Sequence, residues 1–304
     1  MALTLAISGS LPGAEEYAAP ERVGSIRDDR LEEVSGIVPV TGKPGCFWVH
    51  NDSGDKARIF AIHETGRILA RAKVRGAEAK DWEDIADGPA PGRSGTHLYI
   101  GDIGNNKLDR KELTVYRVPQ PAFEPPPEGA EPVEIETGPA EAIRMRYPEK
   151  PFDCEALVVH PATSRIYLIT KSLFRARVFS CEASPAERPH VLVEEAVFEP
   201  RFLVTAADLS ADGRRLLIRT YLGVEEYRLP EGKPFVEIFA APRRDLPKAR
   251  WEIQGEAICY DHDDRDYLTV NEGKPLLIHR ARKIEPPAKE VPGEDGKAPG
   301  GKSP

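Results

Sequence analysis

Apolar residues occur along this chain in short runs, and the runs alternate with polar, glycine- and proline-bearing punctuation. Residues 34 to 74 read VSGIVPV, CFWVHN, RIFAIH and ILARAKV. Runs this short, rich in β-branched and aromatic residues and separated by turn formers, predict strands. The same fourfold grouping returns as WEDIA, HLYIGD, LTVYRV and AIRMRY, then as CEALVVH, IYLITK, ARVFSC and HVLVEEAV. It returns again as AADLS, RLLIRT, GVEEYRL and FVEIFAA. A fifth group, GEAICY, YLTVNE and PLLIHRA, has only three runs. The unclaimed run RVGSIRD at 22–28 supplies a fourth.

The first run of each group carries a repeated signature: EVSGIV, WEDIA, DCEALVV, TAADLS and QGEAICY. Aligned on the apolar residue, one column reads Ser35, Glu83, Glu155, Ala207 and Glu256. Two residues earlier the column reads Glu33, Asp81, Asp153, Thr205 and Gln254. Successive residues of the first column lie 48, 72, 52 and 49 positions apart. A period near 50 belongs to propeller blades and similar β-repeats. The long step holds the Pro- and Glu-rich insert PQPAFEPPPEGAEPVEIETGPAE at 119–141. The expected fold is therefore all-β, a five-bladed β-propeller closed by an N-terminal strand at 22–28. Closure of this kind removes exposed sheet edges. The domain limits follow: an extension over 1–21, the propeller over 22–283, and a Pro, Gly and charged tail over 284–304 that reads as disordered.

Strand alternation places Asp81 and Glu83 on one face and Trp82 with Asp84 on the other. First strands line the channel of a propeller, so Glu83, Glu155 and Glu256 would face one another across it. Carboxylates that close are unfavourable unless protonated or neutralised by a cation. Oxygen donors alone suit calcium, while zinc calls for His or Cys, which the column lacks. The plainer alternative is that these acids hydrogen-bond backbone N–H groups and channel water. The second strands end on the rim where the first begin. Their aligned ends read Asn51, Asp102, Lys171, Thr220 and Glu272, preceded by His50, Gly101, Thr170, Arg219 and Asn271. Lys171 and Arg219 would hold a small anionic ligand beside the ion. His50, Asp102 and Glu272 complete the candidate ligand set, His50 reading either as a general base or as a structural histidine. The loops NDSGD and GDIGNN offer oxygens but match no EF-hand.

Composition narrows the function. The net charge of −8 over 304 residues argues against nucleic acid. Cys46, Cys154, Cys181 and Cys259 are widely spaced with no CxxC pair, which predicts buried free thiols. No run reaches the ~18 apolar residues of a membrane-spanning helix. The start, MALTLAISGSLPGAEEYAAP, has a short apolar run but no Lys or Arg, so export and a cytoplasmic location both stay open. A monomer is expected.

The ordered series EVSGI, DWEDIA, DCEALV, AADLS and QGEAI resembles the SdiA-regulated propeller family, whose members are similar to NHL-repeat proteins. The resemblance spans about residues 22 to 282. It implies a five-bladed propeller with a calcium site, and by position it makes Glu83, Glu155 and Glu256 the calcium ligands. Ala207 departs from the serine of that family and leaves the contribution of the fourth blade in doubt. Two functions follow: a calcium-bearing binding or scaffold module, or a calcium-dependent hydrolase of lactones, esters or phosphoesters.

Overall fold

In a computed structural model, which describes residues 16–250, 252 and 254–284, the chain forms five small, mainly antiparallel sheets arranged in a ring. Blade one pairs β2 (Val34–Pro39), β3 (Cys46–Asn51), β4 (Arg58–His63) and β5 (Ile68–Lys73). Blade two has β6 (Trp82–Gly88), β7 (His97–Asp102), β8 (Leu113–Pro119) and β10 (Glu141–Arg146). Blade three has β11 (Cys154–Val159), β12 (Ile166–Thr170), β13 (Ala176–Cys181) and β15 (Val193–Phe198). Blade four has β16 (Val204–Leu209), β17 (Arg215–Thr220), β18 (Gly223–Arg228) and β19 (Arg244–Leu246). Blade five has β20 (Gly255–Tyr260), β21 (Tyr267–Asn271), β22 (Leu276–Ala281) and β1 (Glu21–Ile26). The first strands touch in a closed circle, β2 to β6 to β11 to β16 to β20 and back to β2.

The ring is closed as the sequence predicts, by β1 running antiparallel to β22. Order begins earlier than residue 22. Tyr17 bridges Lys283, stacks edge-on against Tyr267 with ring centroids 5.0 Å apart, and is buried between blades four and five. The rest of the predicted extension and the tail beyond Ile284 lie outside the described residues.

One short strand, β9 (Val133–Glu136), had no sequence signal, and the predicted run HVLVEEAV divides into two strands, β14 (His190–Val191) and β15. Inside the 119–141 insert, β9 lies parallel to β5 and covers the outer edge of blade one. β14 does the same to β10. One predicted strand is a correction: Phe235–Ala240 forms a 3-10 helix, and β19 is the outer strand of blade four. The FVEIF segment buries Ile238 and Phe239 against Phe198 and Tyr227 instead of pairing its backbone.

The register contains the main departure from the sequence analysis. Every first strand has a bulge at the same place: after Val34, Trp82, Cys154, Val204 and Gly255 the pairing skips one residue. The skipped residues are Ser35, Glu83, Glu155, Thr205 and Glu256. The fourth blade therefore contributes Thr205 to the column, and Ala207 is its apolar anchor two positions on. Alternation fails at the bulge for the same reason. Trp82 and Ile85 both pack toward blade one, Cys154 and Leu157 toward blade two, Val204 and Ala207 toward blade three. Five apolar clusters fill the five gaps between blades in this way. All four cysteines are buried and unpaired, as expected.

The bulge also turns Asp84 away from the face of Trp82. Its carboxylate accepts N–H groups from Ile85 at 2.9 Å, Leu157 at 2.9 Å and Ala207 at 3.2 Å, on blades two, three and four. Inner strand edges have no neighbour to satisfy their N–H groups, and Asp84 serves as that acceptor. Asp208 does likewise for Tyr260 N–H, at 2.7 Å on blade five.

Tyr17→Ala should lower stability by about 3 kcal/mol, as truncation of a buried aromatic does, and deletion of residues 1–28 should give an aggregating chain with an open β22 edge. Thermal unfolding with light scattering checks both, and unchanged curves would refute closure by this segment. Asp84→Ala should cost about 1–3 kcal/mol for each N–H left without an acceptor. Denaturant unfolding measures that loss.

Candidate metal centre

The bulge residues gather on the rim where first strands start and second strands end. A fivefold set of hydrogen bonds fixes this rim: Asp52, Ile103, Lys171, Tyr221 and Glu272 donate their N–H groups to the carbonyls of Glu33, Asp81, Asp153, Leu203 and Gln254. Lys171 and Glu272 are thus equivalent to Asp52, one position beyond the paired ends Asn51, Asp102, Thr170, Thr220 and Asn271. The sequence alignment had set Lys171 and Glu272 level with Asn51, one residue out.

Asp52, Asp81 and Glu83 form the centre of the acidic cluster, with one carboxylate oxygen from each lying within 4.8 Å of the others. Glu83 is 2% exposed. Burial, with the charges of Glu155, Asp52, Asp81 and Asp153 around it, pushes its carboxyl up to about 11. Burial likewise raises Asp52 to about 6, against a hydrogen bond from Ser53 N–H and with Asp81 and Glu33 nearby. Asp81 is also raised by burial, with Arg110 pulling the other way. Gly104 closes the pocket: a Cβ at this position would collide with Glu83 Oε1 and the Asp81 carboxylate. Its backbone is fixed by the Asp81 carbonyl, which accepts the Gly104 N–H at 3.2 Å, and by Arg110, which donates to the Gly104 carbonyl at 2.7 Å.

The other candidates fall around this cluster in different ways. Glu155 accepts from Lys171 Nζ at 2.8 Å, and burial raises its carboxyl to about 7 in spite of that partner. Burial opposes the Lys171 charge, but Glu155 and Tyr221 more than restore it, and the ammonium lies 5.1 Å from the Tyr221 ring centroid. Glu256 is raised by burial to about 9 and shares a hydrogen bond with Glu272, which also accepts from Gln254 Nε2 at 3.1 Å. Asp102 serves the backbone: it accepts Asp81 N–H at 3.2 Å and pairs with Arg110 at 2.6 Å.

Two candidates are not brought to the mouth. Arg219 is fully buried and pairs with Glu252 at 2.9 Å, its guanidinium lying where a Cβ on Gly255 would be. It does not stand beside Lys171 as the linear spacing suggested: its guanidinium is packed against Gly255 at the start of blade five, where Glu252 holds it. His50 is enclosed within the blade, edge-on to Trp82, with burial lowering it to about 4. Thr205 and Ser35 close the column by donating their hydroxyls to the carbonyls of Gly255 and Glu83 in the next blade, the former at 2.8 Å. Asp52 and Gly104 were passed over in the sequence because both lie in Asx- and Gly-rich loops whose composition suits turns.

The donor set is oxygen only. Two ligands on opposite sides of a calcium ion at 2.3–2.6 Å stand about 4.6–5.2 Å apart, and on magnesium about 4.2 Å. The Asp52, Asp81 and Glu83 oxygens all lie within 4.8 Å of one another, close enough for one hard cation to bridge them.

In chelator, stability should fall as pH rises. Asp52, Glu155 and Glu256 have folded values above their ordinary ones, so the native chain binds more protons than the unfolded chain. Their contribution is complete below about pH 4 and is lost between there and about pH 9. A melting series across that range, with and without calcium, measures it, and calcium should flatten the slope.

Compared with protein-family models and with curated proteins, the chain matches none, so its functional reading comes from the five-bladed ring and the acidic mouth themselves.

Proposed function

We propose that this propeller is a calcium-bearing module, a binding or scaffold domain whose ion is held by Asp52, Asp81 and Glu83 at the channel mouth. The observation that carries the reading is the buried Glu83 carboxylate, whose charged neighbours are themselves acids. A folded protein does not retain such a group ionised without a counter-charge. Glu155 and Glu256 form the outer part of the acidic ring and raise the field at the ion. The likeness of the column to that of SdiA-regulated propellers agrees with this reading.

Ion binding to the native state alone stabilises it by RT ln(1 + [L]/Kd), about 2.7 kcal/mol at a hundredfold excess over Kd. Calcium should therefore raise the melting temperature of the full chain, and magnesium should do so less. Glu83→Gln should abolish most of the calcium response, while Glu155→Gln should only weaken it. Identical melts in calcium and in chelator would overturn the proposal, and calorimetric titration gives the stoichiometry, expected to be one.

A further inference from the structure

The channel has a second mouth. The turns that join first to second strands, residues 40–45, 89–96, 160–165, 210–214 and 261–266, lie at the end opposite Asp52, Asp81 and Glu83. They enclose a cavity of about 620 Å³, a volume that suits a small molecule. Every blade contributes to its wall: Pro44, Pro89, Pro161, Ser210 and His262 come from blades one to five in turn. Asp87, near the end of β6, and Asp208, in β16, line it too. Among the described residues, the Asp87 carboxylate has no hydrogen-bond donor but its own backbone N–H. Asp208 has the N–H groups of Tyr260, at 2.7 Å, and Leu209. Burial, with the charge of Asp264 nearby, raises Asp87 to about 6. Burial, with Asp87 beside it, raises Asp208 well above the ordinary carboxylate range.

No Lys or Arg lines this cavity. Asp261 and Asp264 are in its wall, but Arg280 pairs with the first at 2.7 Å, and Arg215 donates to the carbonyl of the second at 2.8 Å. Lys43, Arg93 and Arg214 of the surrounding turns are directed to Glu124, to Glu141 and to the Leu229 carbonyl. Asp87 and Asp208 are thus the acids of this mouth without a cation of their own. We propose that it binds a small alkylamine, its ammonium held by Asp87 and Asp208 and its carbon stem laid along the apolar wall. Pro39, Pro44, Pro89, Pro161 and Leu209 give that wall a carbon surface. A metal ion fits less well. Among the described residues, the ligand oxygens gathered three together within 4.8 Å are those of Asp52, Asp81 and Glu83 at the other end. Acids spread around a cavity suit a cation that brings its own donors, and an ammonium has three. A neutral ligand would leave two enclosed carboxylates without a counter-charge. The proposal does not depend on the cation centre.

Calorimetric titration of the full chain in chelator tests it, with butylammonium chloride as the probe and sodium chloride holding the ionic strength constant. The native chain should bind the amine at millimolar concentration. Butan-1-ol has the stem without the charge, ammonium chloride the charge without the stem, and each should bind at least ~tenfold more weakly. Asp87→Asn and Asp208→Asn should each weaken the amine at least ~tenfold, since a charge-assisted hydrogen bond is lost. Both variants should melt no lower than the native chain, because Asp87 has no partner residue to lose and asparagine keeps an oxygen for the Tyr260 N–H. Glu83→Gln, at the opposite mouth, should bind the amine as the native chain does. A native chain that gives no heat with butylammonium overturns the proposal, and so does unchanged affinity in either Asp variant. Butan-1-ol binding as tightly as the amine would make the cavity an apolar site only, and loss of the amine in Glu83→Gln would move it to the cation centre; either result overturns the proposal as well.

Discussion

The bulge repeated in all five inner strands is the constraint from which the rest of this structure follows. One unpaired residue per strand breaks the two-residue alternation, so that residues three apart, such as Trp82 and Ile85, pack on the same neighbouring blade. The skipped residue is left on the rim, free of the ladder, and the residue after it turns to the opposite face. Glu83 and Asp84 are adjacent in sequence and yet serve different ends. Glu83 joins the rim acids, while Asp84 ties three inner strands together along the axis.

These two carboxylates also show how differently a fold can hold a buried acid. Burial raises the Asp84 carboxyl well above the ordinary carboxylate range, and the backbone N–H groups of Leu157, Ala207 and Ile85 pull it part of the way back. Glu83 has acids around it, and burial works in the same direction as their charges. The first arrangement is complete within the chain. The second calls for a proton or a cation, and the oxygen donors gathered within 4.8 Å are what a hard cation takes.

Around the ring, the chain deals with sheet edges one blade at a time. Blade five receives β1 from the N-terminus, blade one receives β9 from the long insert, and blade two receives β14 from the connection into β15. The insert that lengthens the repeat thus covers an edge, which explains why a Pro- and Glu-rich segment is retained within an otherwise regular array. The rim opposite these outer edges, where the short turns converge, is left to present side chains, with the acids at its centre.

The sequence by itself determined the fold class, the blade count, the closing strand and the acidic column, because each rests on local pattern: alternating apolar runs, turn residues and a period near 50. Glu83, Glu155 and Glu256 were legible in it since they recur at equivalent places. What only the tertiary structure decided is where register and distance matter. A one-residue bulge leaves no mark in composition, so Ala207 was set in the column where Thr205 belongs, Lys171 and Glu272 were set one position out, and Arg219 was sent to a mouth it does not reach. Asp52 joins Asp81 and Glu83 from a different blade, across 29 positions of chain and more, and no linear spacing encodes that meeting. The strand FVEIF became a 3-10 helix because burying Ile238 and Phe239 against blade four outweighed its strand-like composition. Periodicity is a property of neighbours along the chain, whereas a charge cluster is a property of neighbours in space, and the bulges decide how one becomes the other.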